Sequence, residues 1–374
     1  MQLQQPRSAT AQRNYGVDAL RILSIYMVLV LHVLGMGGGL GGTKPFSANY
    51  IAAWSLEIGA FCAVNCYGLI SGYVGINAKY RYTNLIMLWL QVLLYSLVSA
   101  LICRLQNPAS VGFSELLDAA FPMMKGTFWY FTAYSGLFFL LPLLNRAVLA
   151  LNRRQALVLC LTIAAVFSVM PILLNEDTFT LASGYTPLWL MLLYVLGACI
   201  RRFDFGRSIG SGWLFLIYGA SVALALGAMI VLMKKWVPFL SDRYSAAVLV
   251  NYTAPTILLC GVALLLIFSR WQIRAKWVIG IVKFLSPLAF GIYVLHLQPC
   301  VKEPLFGAKR FAALGNWPLP LMVLGVLGGA LAIFAACAVV EKLRQLLFDG
   351  LRLRKGIQKL EDKWVKDLWN DKEI

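Results

Sequence analysis

Apolar residues along this chain fall into long runs rather than into alternating patterns. Runs of about 17 to 25 apolar residues can cross the hydrocarbon core of a bilayer as α-helices. The pattern predicts an all-α fold, a polytopic membrane helical bundle of about ten transmembrane helices. These spans fall at about 17–37, 50–74, 84–103, 127–147, 157–174, 186–200, 211–232, 245–269, 278–299 and 318–340.

Composition agrees with a membrane protein. Sixty per cent of the 374 residues are apolar and 13% are charged, and the mean hydropathy is +0.75. A soluble domain carries about 45–50% apolar and about 25% charged residues. The formal net charge of +17 does not require nucleic acid, because an excess of Lys and Arg in such proteins gathers in cytoplasmic loops near lipid headgroups. We therefore expect membrane lipids, and no nucleic acid, as partners.

The distribution of basic residues predicts the orientation. With both termini in the cytoplasm, the inner loops near 75–83, 148–156, 201–210 and 270–277 are short and basic, which satisfies the positive-inside bias. One outer loop carries Glu176 and Asp177 and no Lys or Arg, although Lys234, Lys235, Lys309 and Arg310 lie outside as exceptions.

The chain divides into one membrane domain and two tails. We predict a cytoplasmic N-terminal tail over 1–16, the membrane domain over 17–340 and a basic tail over 341–374. In the last segment Leu353, Ile357, Leu360, Trp364 and Leu368 recur at helical spacing among Lys and Arg. This spacing predicts an amphipathic cytoplasmic helix on the inner leaflet; a solvated tail is the alternative.

The cysteines do not indicate a metal site. All eight fall in or beside apolar runs, without a CxxC pair or a Cys/His ligand spacing. We interpret them as small buried hydrophobic residues rather than as a disulfide framework. No small-residue cleavage site follows a short apolar core at the N-terminus, so the first run is expected to remain as a span.

The first span, "RILSIYMVLVLH", is framed by Arg21 and His32. Eleven residues at about 100° each make about 1100°, within about 20° of three full turns, so both side chains are expected on one helical face. The rise of about 1.5 Å per residue separates them by roughly 16 Å along the helix axis.

Each of these two residues has a structural alternative. Arg21 could reach lipid headgroups or pair with Asp18 at i,i+3, and His32 could bond a neighbouring helix. Ionisable groups inside a membrane nevertheless usually face a cavity and serve a pathway or a site, and histidine is suited to moving protons near neutral pH. We therefore select Arg21 and His32 as candidate catalytic residues.

Several polar or aromatic residues fall at a depth similar to that of His32. His296 ends "SPLAFGIYVLH", and Glu57 lies near the outer end of the second span. Glu57 could orient an imidazole or accept a bond from a sugar hydroxyl; a water-facing helix-end glutamate is the alternative. We add His296 and Glu57 to the catalytic candidates. The substrate-binding candidates, for which an interfacial aromatic belt is the alternative reading, are Trp129, Tyr130 and Asn251.

Five motifs in order resemble the acyltransferase 3 family of bacterial integral-membrane acyltransferases over nearly the whole chain. "GVDALRILSIYMVLVLH" is similar to the family's first-span pattern of an arginine, ten residues and a histidine. The supporting motifs are "ISGYVG", "FWYFTAYSGLFFLLPLLN", "WLMLLYVLGACIRRF" and "SPLAFGIYVLH".

The resemblance implies transfer of an acyl group, commonly acetyl, from cytoplasmic acetyl-CoA or another acyl-CoA to a hydroxyl of a surface glycan or lipid-linked sugar. It also implies a multi-pass protein of the bacterial cytoplasmic membrane, and functional roles for Arg21 and His32. Family members often carry Arg-x2-Arg after the second span, whereas this chain has Lys79 and Arg81. The oligomeric state, a homo-oligomer included, stays open.

The phosphates of CoA require cations at the cytoplasmic mouth. We expect these from Arg21, Lys79, Arg81, Arg153 and Arg202. His32 is then expected to act as general base on the acceptor, with a transient acyl-histidine as the rival route. The competing functions are a transporter or flippase that uses Arg21, Glu57 and His32 as a proton relay, and a polytopic scaffold without catalysis.

Overall fold

The computed structural model describes residues 13–108, 111–123, 126 and 128–365, and within these ranges the chain is helical without a β-strand. Seventeen α-helices occur in the described part of the chain. They are α1 (Tyr15–Leu34), α2 (Ala48–Phe61), α3 (Ala63–Gly75), α4 (Tyr82–Gln106), α5 (Phe113–Ala120), α6 (Trp129–Ala150), α7 (Arg153–Ala164), α8 (Met170–Leu174), α9 (Pro187–Phe203), α10 (Ser211–Met233), α11 (Pro238–Arg243), α12 (Pro255–Arg270), α13 (Lys276–Leu285), α14 (Ala289–His296), α15 (Pro299–Phe306), α16 (Leu319–Gly350) and α17 (Leu353–Trp364).

The predicted polytopic helical bundle is confirmed, and a helix occupies each of the ten apolar runs. Eight helical stretches in the described residues are long and apolar enough to cross a membrane, and α12 is a shorter apolar helix. The eighth predicted span began at 245, but α12 begins ten residues later. Residues 245–254 form turns, and Pro255 occupies the first turn of the helix, where its missing N–H has no cost.

Helix α1 lies at the centre of the bundle. It packs against α2, α3, α12, α13, α14 and α16, and Leu20, Leu29 and Val33 are fully buried. Because neighbouring helices surround α1, its polar residues face protein rather than lipid. The arrangement places both ends of the predicted Arg21–His32 face inside the bundle.

Glycines allow α3 and α9 to pack at very short distance. A Cβ atom at Gly72 would lie 1.8 Å from the Tyr194 carbonyl oxygen, and one at Gly197 would lie 2.0 Å from the Leu69 carbonyl oxygen. Small residues at such crossings let two helix backbones approach in a membrane bundle. This crossing fixes α3, which carries Tyr67 and Ser71, beside α1.

The glycine-rich segment after α1 packs against the segment after α15. The Phe311 N–H donates to the Gly37 carbonyl oxygen over 2.9 Å, and a Cβ atom at Gly42 would lie 1.9 Å from the Ala312 carbonyl oxygen. This segment thus approaches another backbone closely. It draws the region after α15 to the His32 end of α1.

The C-terminal region forms the predicted amphipathic helix, α17, and this helix docks on the start of α4. The Glu361 carboxylate accepts hydrogen bonds from the backbone N–H groups of Tyr82 and Thr83 and from the Thr83 hydroxyl. Arg81 pairs with Asp362 at 2.6 Å. Leu368 and residues 1–12 lie outside the described residues.

Candidate active site

A cavity of about 510 Å³ lies between α1, α3, α6 and the region of α14; we call it the central cavity. The residues Arg21, Ile25, Val28 and His32, spaced by three or four positions along α1, all line it. This spacing places them on one face of a helix. The structure therefore places Arg21 and His32 along one cavity wall, as the sequence predicts.

The two histidines of the chain form a direct pair. Nδ1 of His32 lies 2.8 Å from Nε2 of His296, and Nδ1 of His296 lies 2.6 Å from the Ile292 carbonyl oxygen. A carbonyl oxygen only accepts, so Nδ1 of His296 carries the proton and donates. In the neutral ring Nε2 is then an acceptor, and Nδ1 of His32 must be the donor to it.

The direction of these bonds leaves Nε2 of His32 with a lone pair. No hydrogen bond to this nitrogen is present among the described residues. His296 is completely buried, whereas His32 is partly exposed to the cavity. The arrangement can therefore offer one basic nitrogen to a bound hydroxyl while the second histidine fixes the tautomer.

Glu57 does not join this pair. Its carboxyl group is buried, and Oε2 has no hydrogen-bond partner within the described part of the chain. Of the described residues, those that line the central cavity do not include Glu57. The imidazole of His32 is thus oriented by His296 and not by this carboxylate.

At the other end of the cavity, Arg21 is held by three groups. Its Nη1 donates to the Asp18 carboxylate at 2.8 Å and to the Ser286 hydroxyl at 3.2 Å. Ser286 also donates to Asp18 at 3.1 Å, and Tyr67 donates to the Arg21 carbonyl oxygen at 3.0 Å. The pairing of Arg21 with Asp18, considered above as an alternative to a functional role, coexists with its place in the cavity wall.

A second cavity, of about 200 Å³, adjoins the first at Arg21; we call it the vestibule. Arg21, Ser71 and Tyr134 line both spaces, so they form a common boundary. Lys79 and Arg81 line the vestibule. The structure thus brings three of the five predicted donor-binding cations together at one end of the central cavity.

The other two predicted cations lie elsewhere. Arg153 donates to the Phe203 carbonyl oxygen and stacks on Phe205, and Arg202 donates to the Val148 carbonyl oxygen at 3.1 Å. Among the described residues that line the vestibule or the central cavity, neither arginine occurs. Both connect the α6–α7 junction to the end of α9.

Aromatic side chains line much of the central cavity. The predicted substrate-binding residues Trp129 and Tyr130 line it, and Tyr252 joins them. The rings of Trp129 and Tyr252 stack at 5.9 Å between centroids with an interplanar angle of 26°. Asn251 instead donates to the Val248 carbonyl oxygen and accepts from Thr253. Among the described residues, its neighbour Tyr252 lines the cavity and Asn251 does not.

Sequence reasoning missed several polar residues of the cavity wall, among them two tyrosines and a lysine. Tyr134 and Tyr293 lie on α6 and α14, and Lys302 lies on α15 at the His32 end. Tyr134 is four residues from Tyr130, and Tyr293 is three residues from His296, so helical spacing could have found both. Nothing local marks Lys302, because its position depends on how the region after α14 folds.

A larger groove of about 830 Å³ lies on the opposite face of α1. It is mostly apolar, and the guanidinium group of its Arg270 is bonded to the carbonyl oxygens of Gly206 and Ile209. The Tyr26 and Tyr218 hydroxyls of this groove donate to the carbonyl oxygens of Leu327 and Gly59. The chemistry of the described residues is therefore concentrated in the central cavity.

Comparison with known proteins identifies one family. The acyltransferase 3 family model, described as an acyltransferase domain, matches residues 14–340, which is nearly the whole chain. No curated protein and no solved structure matches the chain. The match includes α1, with Arg21 and His32, and α14, with His296.

Proposed function

The chain belongs to the acyltransferase 3 family of membrane acyltransferases, and we propose that it moves an acetyl group from cytoplasmic acetyl-CoA to a hydroxyl of a glycan or lipid-linked sugar. The observation that carries this proposal is the path from the vestibule past Arg21 to the histidine pair. In this proposal the protein lies in the bacterial cytoplasmic membrane with the vestibule on the cytoplasmic side.

The vestibule suits the phosphate end of the donor. Lys79 is exposed, Arg81 lines the same space, and Arg21 stands where the vestibule meets the central cavity. Arginine and lysine are the side chains that bind phosphate oxygens with charge-assisted hydrogen bonds. The pantetheine arm then extends roughly 16 Å along α1, the rise from Arg21 to His32, and delivers the thioester to the histidine pair.

The acceptor hydroxyl approaches Nε2 of His32 from the opposite end. Nε2 takes the hydroxyl proton as the oxygen attacks the thioester carbonyl carbon, and the resulting imidazolium keeps its hydrogen bond to His296. The C–S bond then breaks, the ester remains on the acceptor, and the CoA sulfur receives the proton from His32. General base catalysis of this kind contributes about 10²- to 10⁴-fold to a rate.

A transient acyl-histidine on the same Nε2 is the alternative step. It would need the thioester to reach His32 before the acceptor and would release CoA first. Direct transfer is favoured because His32 lines a cavity of about 510 Å³ that adjoins the vestibule at Arg21, so that the donor and the acceptor can meet at one nitrogen.

A transporter or flippase remains the competing function. In that hypothesis Arg21, Glu57 and His32 form a proton relay. Glu57 does not line the path that connects the other two in the described residues, which weighs against the relay.

Acetyl-CoA binding separates the two functions. Purified protein in lipid nanodiscs is expected to gain thermal stability from acetyl-CoA, since a ligand of the folded state raises the melting temperature. The gain should vanish in Arg21→Ala and persist in the control Arg153→Ala, and protein-dependent label from [14C]acetyl-CoA should enter membrane glycan. A transporter would show neither the acetyl-CoA shift nor labelled glycan.

A further inference from the structure

The two cations that line the central cavity differ in whether a carboxylate pairs with them. Among the described lining residues the cavity has no carboxylate, and its cations are Arg21 at one end and Lys302 at the other. Arg21 has a carboxylate partner in Asp18 at 2.8 Å, which it shares with Arg13. Lys302 forms no ion pair within the described residues.

The acidic neighbour of Lys302 does not neutralise it. The Glu303 side chain lies against Gly307, where an added Cβ atom would be 2.1 Å from Oε1. Glu303 lines a separate pocket with Cys103 and Arg310. The ammonium group of Lys302 is therefore available to the central cavity.

A cation at the wall of a partly enclosed cavity is stabilised by an anion that enters it. Lys302 is exposed, so its charge is solvated when the cavity is empty, and its hydrogen bonds to an entering carboxylate or phosphate are stronger than neutral ones. The donor's phosphates do not supply this anion, because the proposed path holds them at the vestibule, on the far side of Arg21. An anion that binds Lys302 therefore arrives with the acceptor.

The aromatic walls of the central cavity fit a sugar ring. The rings of Trp129 and Tyr252 stack on each other and line the cavity, and the C–H groups of a sugar pack on such aromatic surfaces. A site with aromatic faces, a basic nitrogen and one unpaired cation thus combines ring binding, catalysis and recognition of a negative group.

We propose that the acceptor is an anionic sugar, and that Lys302 binds its carboxylate or phosphate and thereby determines which hydroxyl reaches His32. This inference rests on the proposed acyl transfer and adds the class of acceptor. Lys302 is then a specificity-determining residue: its loss weakens acceptor binding and leaves acetyl-CoA binding intact.

Native membranes that contain the full chain and radiolabelled acetyl-CoA provide the test. Label transfer at limiting acceptor should fall about tenfold or more in Lys302→Gln, the loss expected for one charge-assisted hydrogen bond, and Lys302→Arg should recover most of it. Lys235→Gln removes the same charge from an exposed lysine after α10 and should match the wild type. Acetyl-CoA should still raise the melting temperature of Lys302→Gln.

The labelled product identifies the anion. It should bind an anion-exchange resin; carbodiimide coupling should abolish this binding if the group is a carboxylate, and mild hydrofluoric acid should abolish it if the group is a phosphodiester. A neutral labelled glycan, or wild-type labelling in Lys302→Gln, would overturn the inference while leaving acyl transfer intact. Absence of any protein-dependent label in the wild type would instead overturn the proposed function, and this inference with it.

Discussion

Nδ1 of His32 lies 2.8 Å from Nε2 of His296, although 264 positions separate the two residues. His296 donates its own Nδ1–H to the Ile292 carbonyl oxygen, which fixes its tautomer and makes its Nε2 an acceptor. The partner that orients the proposed base is therefore a second histidine in place of the carboxylate found in a Ser-His-Asp triad.

This pairing predicts different outcomes for two substitutions of His296. His296→Leu removes the acceptor for His32 and should lower kcat by about 100-fold, within the range of general base catalysis, with KM for acetyl-CoA nearly unchanged. His296→Gln can accept and donate through its amide and should retain more activity than the leucine variant. Steady-state kinetics in nanodiscs measure both constants. Equal loss in the two variants, or a loss confined to KM, would contradict a positioning role.

The two-cavity arrangement predicts which cations bind the donor. Lys79→Ala and Arg81→Ala should each raise KM for acetyl-CoA about tenfold, as expected for the loss of a charge-assisted hydrogen bond, because both side chains line the vestibule. Arg153→Ala and Arg202→Ala should leave KM unchanged, since these arginines bond backbone carbonyl oxygens outside it. The vestibule assignment fails if all four substitutions have the same effect.

Direct transfer predicts that no acyl-enzyme accumulates. When wild-type protein is mixed with [14C]acetyl-CoA without acceptor and quenched at mild alkaline pH, protein-bound label should stay at the background of His32→Ala. The physical reason is that Nε2 acts on the acceptor hydroxyl and not on the thioester. Label on His32 in a stoichiometric burst would establish the acyl-histidine route instead.

A buried polar cluster should dominate the stability of the bundle. The Glu341 carboxylate is completely buried and accepts from Gln91, Tyr95 and Arg344, which connects α16 to α4. Glu341→Ala leaves a largely buried arginine unpaired, a change that costs about 3 kcal/mol or more.

Unfolding in mixed micelles measures this cost. Asp349→Ala, at an exposed position of the same helix, serves as the control and should change the free energy of unfolding by about 0.5 kcal/mol or less. A Glu341→Ala variant as stable as this control would show that the cluster does not hold α4 and α16 together.

The sequence predicts local features of the site better than long-range ones. Arg21 and His32 share a cavity wall because helical spacing alone decides which residues of α1 lie together. The contact of His32 with His296 depends on the packing of α1 against α14, and no local pattern encodes that packing. For the same reason the prediction selected Asn251, whose amide closes a local turn, instead of Tyr252.

The boundaries of the spans also depend on features that the sequence pattern does not reveal. Hydropathy locates the helices, but the start of α12 is set by Pro255 at its first turn and by the turns before it, which an apolar run does not reveal. Lys302 was missed because the region after α14 folds back against the glycine-rich segment after α1. Tertiary packing, and not composition, determines where the chain folds back in this way.

The central claim is that Nε2 of His32 removes the proton from the acceptor hydroxyl. The most direct measurement is the single-turnover rate of label transfer from [14C]acetyl-CoA to membrane glycan in wild type and His32→Ala, with insertion and acetyl-CoA-induced thermal stabilisation measured on the same samples. The account predicts that His32→Ala inserts and binds acetyl-CoA but loses transfer by about 100-fold or more. Undiminished transfer in a folded, donor-binding His32→Ala protein would contradict it.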